Sequence, residues 1–179
     1  KYTALPQSIT SINFNVKSSC ADNDYRNTSF SINNFSAIAL KNFIKGNVSI
    51  SSLKDMLVNA DVHANLNLAE IKNLYPLDGL ILNGLLKIDA TAKGKYNAAS
   101  NHFPLTVADI NLQNASIKTA YYPNPINAIN LTAKAVNATG SFKDQELTIQ
   151  PASFNFEEKP FEVTASFKNF EDILYDVKA

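Results

Sequence analysis

The sequence has no tryptophan, one cysteine, two histidines and only five glycines in 179 residues. With Cys20 as the single thiol, no internal disulfide can form and the fold must rest on packing and backbone pairing. That shortage leaves the compartment open, since many envelope proteins also lack disulfides. Cys20 lies in Ser18-Ser19-Cys20-Ala21-Asp22, a polar stretch that reads as a loop, with no adjacent cation or histidine to activate a thiolate. His63 and His102 have no second His or Cys at ligand spacing, so the usual zinc patterns are missing. Both read as surface histidines, one on the polar side of a strand and one in the loop Ser100-Asn101-His102-Phe103-Pro104.

Motifs for chemistry are scarce as well. There is no Gly-rich phosphate loop, nucleophile elbow or Cys–His pairing. Asp22/Asp24 and Glu157/Glu158 fall in expected turns, where polar surroundings do not raise a carboxyl pKa for acid–base work. The sequence therefore predicts no enzyme: no catalytic residue, metal site or cofactor. Lys plus Arg and Asp plus Glu number sixteen each, giving a formal net charge of zero, so the basic excess that grips nucleic acid is lacking. No apolar run approaches the ~20 residues of a membrane-spanning helix, and Lys1-Tyr2-Thr3-Ala4 offers no apolar signal core. The chain reads as an internal piece, with any anchor or targeting segment outside it.

What is abundant is apolar sequence, 45% of residues, arranged with period two. Val58, Ala60, Val62, Ala64, Leu66 and Leu68 alternate with Asn59, Asp61, His63, Asn65 and Asn67. The same pattern returns from Leu86 to Lys93, from Ile129 to Ala135 and from Phe161 to Lys168. Each such strand has one oily and one wet side, which is antiparallel behaviour. Further strands are expected at about 8–18, 27–34, 43–51, 104–113 and 145–157. Turn chemistry separates them at Ala21–Asp24, Ala138–Ser141 and Glu157–Pro160. One short helix is expected at 68–74, with Leu68, Ile71 and Leu74 on one face and the Tyr75-Pro76 step ending it. Asn-X-Ser/Thr triplets at Asn27, Asn47, Asn114, Asn130 and Asn137 are the number expected from so much Asn and Ser, and two fall inside expected strands.

The chain also resembles itself. A shift of about 117 positions lays Leu5–Phe14 on Tyr122–Leu131, then Lys17 on Lys134, Ile32 on Ile149, Ser49 on Ser166 and Leu57 on Leu174. Asp55 also lands on Asp172, which reads as a turn or strand-start Asp. Residues 1–62 and 118–179 then read as equivalent parts of two successive units of a single β-domain, with 63–117 completing the first. The expected fold is all-β: an antiparallel, curved and twisted sheet with one apolar face. Two architectures satisfy it, an open groove and a sandwich of two facing sheets. The many inward alanines lean towards a groove.

Tyr75-Pro76-Leu77, then Gly84, Leu86, Asp89 and Gly94 spaced as G-x-L-x-x-D-x-x-x-x-G, resemble the core of the AsmA family of envelope-biogenesis proteins. Val107–Ala115, the step Pro123-Asn124-Pro125-Ile126 and Lys159-Pro160-Phe161 resemble its later motifs in order. The first copy departs from the pattern, with Ser8 for the second Pro and no Pro before Phe43. The resemblance implies a periplasmic segment of a protein anchored in the inner membrane outside this chain. It also implies a role in outer-membrane assembly or phospholipid transport along a hydrophobic β-groove, and it brings no catalytic residue. The expected lipid-facing side chains are Val62, Leu66, Leu86, Ile88, Ala90, Ala92, Ile129, Leu131, Ala133, Phe154, Phe156 and Val163, and the expected partner is a phospholipid or other acyl-chain ligand. A β-sandwich interaction or adhesin module acting through its loops is the alternative.

Overall fold

The structure, a computed structural model, describes residues 10–74 and 79–179, with the backbone alone for Lys72, Asn73 and Leu74. Its strands are β1 (Ser11–Cys20), β2 (Thr28–Ala39), β3 (Asn42–Ile50), β4 (Leu57–Asn67), β5 (Leu80–Lys95), β6 (Leu105–Thr119), β7 (Tyr122–Asn137), β8 (Gln145–Phe156), β9 (Lys159–Lys168) and β10 (Leu174–Lys178). Each pairs antiparallel with the next, giving one open ten-stranded sheet in sequence order. The helix α1 (Leu68–Leu74) follows β4 and packs chiefly against β5. Among the described residues there is no second sheet facing the first, which the sandwich reading requires: all ten strands belong to one layer.

Strands β5, β6 and β7 run well beyond the stretches marked by alternation at 86–93, 104–113 and 129–135. In β5 the alternation continues but is masked by Ile81 and Leu85, apolar residues on the wet face; in β6 and β7 the reason is bulging. The β5–β6 ladder shifts between Asn83 and Leu85, and the β6–β7 ladder shifts between Leu112 and Ala115. A bulge inserts one residue and reverses the in–out phase, so the alternation breaks while the strand continues. Cys20 is the last residue of β1 rather than part of a loop, and β10 is a strand that the pattern did not single out. The Tyr75-Pro76 step and residues 8 and 9 of the first expected strand lie outside the described residues.

Asparagine holds the bulges. Asn34 and Asn114 are left-handed, with φ of 52° and 47°. The amide of Asn34 donates to Oδ1 of Asn47 at 2.8 Å, and that of Asn114 to Oδ1 of Asn130 at 3.0 Å. Asn tolerates the left-handed region, and a second Asn satisfies the amide that the ladder loses. At Gly84 (φ +115°) a Cβ would lie 2.6 Å from Cα and Cβ of Ala115, so only glycine permits that strand contact.

Elements 117 residues apart share their ladders. The 3-10 turn Tyr25–Asn27 has its counterpart in Phe142–Asp144, β2 in β8, and the start of β3 in that of β9. Asn13 faces Ser36 as Asn130 faces Ser153, and Ile32 faces Val48 as Ile149 faces Ala165. The bulge between Ile32 and Phe35 recurs between Ile149 and Ala152.

Candidate functional site

Because side chains in a strand alternate between faces, the register decides which residues meet across the sheet. One row takes a residue from every strand: Ile12, Ala37, Ile44, Ala64, Ile88, Ile110, Ala133, Ile149, Ala165 and Val177. All are apolar. At about 4.8 Å per strand the row extends ~43 Å, longer than the ~30 Å hydrocarbon thickness of a bilayer. The adjacent row on the other face is wholly polar, from Asn13 and Ser36 through Lys45, His63, Asp89, Asp109, Lys134, Thr148 and Ser166 to Asp176.

No second sheet lies on the apolar face among the described residues. Among the described residues the only buried apolar side chains are Ala115, Ile129, Ala133, Ala152 and Ala165, and no large side chain is fully buried. The chain exposes 11789 Å², against about 8,600 Å² for a compact monomer of its mass. Along β5 the oily side is half-buried and the wet side exposed, the oily residues being screened by their neighbours across the sheet. Ala133, 4% exposed, sits between Ile110 and Ile149 in that way.

All twelve residues expected to face lipid lie on this one face. Val62 is in line with Ala90, and Ala64 with Ile88 and Ala133, while Leu66, Leu86 and Leu131 form a row with Leu112. Ala92 pairs with Ala60, Ile129 with Ala115, and Val163 with Ala152. Phe154 stacks on Phe161 with centroids 5.4 Å apart, and Phe156 meets Tyr122 at 5.3 Å. Towards one end the rows become shallow: Ala60, Ala90, Ala92, Ala108 and Ala135 are neighbours on β4 to β7. Beyond them, at the turn end of β1 to β5, a concavity of about 840 Å³ opens over Val16, Phe30, Ile50 and Val58, deepened by Gly94, which has no side chain opposite Val58. The sequence did not single out Phe30, Ile50 or Ala108, because their place beside the other residues depends on bulges and turns.

The wet face is less pure than the alternation implied: Ile81, Leu85, Leu105 and Val107 are exposed on it. At its centre the His63 ring lies between two carboxylates, which accept from its N–H groups when it is protonated, Nδ1 against Asp89 across the β4–β5 pair and Nε2 against Asp61 at 2.9 Å. The Asp89 hydrogen bond, helped by the charge on Asp61, raises the His63 pKa above the ordinary histidine value. Asp89 also stands directly opposite Asp109, and His63 on one side and Lys134 on the other offset that repulsion. His102, expected at the surface, is instead half-buried under Gly140, where a Cβ would lie 2.4 Å from its ring.

Among the described residues no group of His, Cys, Asp and Glu is arranged to hold a metal ion, and no helix is long and apolar enough to cross a membrane. No protein-family model, curated protein or solved structure matches the chain.

Proposed function

We propose that this chain is a non-enzymatic trough for acyl chains, one segment of an AsmA-like envelope protein that moves phospholipid through the periplasm or assists outer-membrane assembly. The observation that carries the reading is the unbroken apolar row across ten strands, with no second sheet over it among the described residues. A sheet with one oily face needs a partner for that face. Acyl chains suit a long, uncharged surface, gaining about 0.8 kcal/mol per methylene removed from water. A row without a polar interruption lets a chain shift from strand to strand while staying out of water. Headgroups would remain in solvent at the rim. The ordered motifs around Gly84, Asp89 and Gly94 support the AsmA-like class, and with it an inner-membrane anchor elsewhere in the protein.

Native mass spectrometry and lipid extraction of protein purified from a Gram-negative envelope test the reading. Co-purifying phospholipid at stoichiometric levels is expected. Lipid-free protein that also takes up no fluorescent fatty acid would overturn it.

A further inference from the structure

Resting on the acyl-chain reading above, we propose that the chains lie in a band oblique to the straight row. Its far corners are Phe30, Ile50 and Val58 on β2 to β4, and Val163, Phe154 and Phe161 on β8 and β9. Val16, Ile32, Val48, Ala60 and Ala92 face one another across β1 to β5, but on β6 to β8 the same row becomes Thr106, Asn137 and Gln145. Phe30, Ile50 and Val58 carry the apolar side still further towards the turns. At the opposite end of the strands the order is reversed. The row of Leu66, Leu86, Leu112 and Leu131 stops at β3, where Asn42 comes beside Leu66, whereas β8 and β9 place apolar pairs there, Ala152 with Val163 and Phe154 with Phe161.

The buried polar side chains among the described residues are Asn42 and Asn137, one at each closed corner. Both are committed to nearby backbone. Asn42 donates to the Ala39 carbonyl and accepts from the Asn67 amide, while Asn137 accepts from the Gly140 amide and donates to the Ser141 carbonyl. The stagger of the shared ladders gives the same tilt independently. Direct partners lead from Val16 on β1 to Asn137 on β7, yet the counterpart of Val16 117 residues on is Ala133, four residues from Asn137. At ~3.3 Å per residue and ~4.8 Å per strand, equivalent positions drift ~13 Å along the strands for ~29 Å across them, an angle of about 25°. The apolar band drifts in that direction too, away from the turns as the sheet passes from β1 to β9. A chain that stays out of water follows the band and leaves the corners of Asn42 and Asn137 empty.

Photolabelling of the whole chain with palmitic acid carrying a mid-chain diazirine, mapped by mass spectrometry, tests this at contact range. Adducts are expected on Phe30, Ile50 and Val58 and on Val163, Phe154 and Phe161, with Thr106, Gln145 and Ala39 unlabelled. Ile50→Asp and Val163→Asp each put a charge in the band and should lower labelling about tenfold, while Gln145→Asp leaves it unchanged. The map on the unaltered chain decides even where a variant fails to fold. Labelling of Thr106 and Gln145 as strong as that of Ile50 would show a straight path and overturn the proposal while leaving the acyl-chain reading intact. Labelling of the wet face alone, or none, would overturn both.

Discussion

At the residue scale, the heavy use of asparagine has a structural cause. Asn34 and Asn114 take the left-handed positions of bulges, and Asn47 and Asn130 accept the amides that those bulges release. Replacing Asn130 with Ala leaves the Asn114 amide to solvent, and denaturant unfolding is expected to show a loss of about 1 kcal/mol. The triplets at Asn47 and Asn130 look like glycosylation sites on paper, but the side chains are committed to the sheet. His63 makes a second residue-scale prediction. Its pKa is raised in the folded protein, so the stabilisation it gains from Asp89 and Asp61 is complete below the unfolded value and disappears as pH rises through the folded one. NMR titration should place its midpoint above the ordinary 6.5, and Asp89→Asn should bring it down. A midpoint unmoved by that substitution would contradict the assignment of cause.

At the scale of the element, strand phase explains what the sequence revealed and what it hid. The stretch 86–93 alternates cleanly, and β5 contains it. Residues 80–85 of the same strand were not legible, because Ile81 and Leu85 put apolar side chains on the wet face and hide an alternation that in fact continues unbroken through β5. The helix at Leu68–Leu74 was legible from three apolar residues on one face, whereas β10 offers too few residues to establish a period. Gly84 is the position on which the β5–β6 bulge depends. Gly84→Ala would need a left-handed φ and drive a Cβ into Ala115, and we expect a loss of about 2–3 kcal/mol in thermal or denaturant unfolding. An unchanged midpoint would show that the two strands separate at little cost. Beyond the β8 bulge, where Phe154 and Phe156 lie, parity alone does not fix the face, but for the candidate residues of β4, β5, β7 and β9 a shared face was legible from parity within each strand. Their alignment into rows was not, since register is set by turns and bulges rather than by composition.

At the scale of the whole molecule, the sheet separates apolar from polar side chains without building an interior. The excess surface and the few buried alanines are two aspects of that arrangement. The proposed acyl-chain trough requires the apolar face to meet acyl chains while the opposite face meets water. The most direct measurement is methyl NMR with a spin-labelled fatty acid. Methyls of Ala60, Ala90, Ala92, Ala108 and Ala135 should broaden as the probe is added, while those of Thr91, Thr132 and Thr148 on the wet face stay sharp. Equal broadening on both faces, or none on the alanines, would contradict the account.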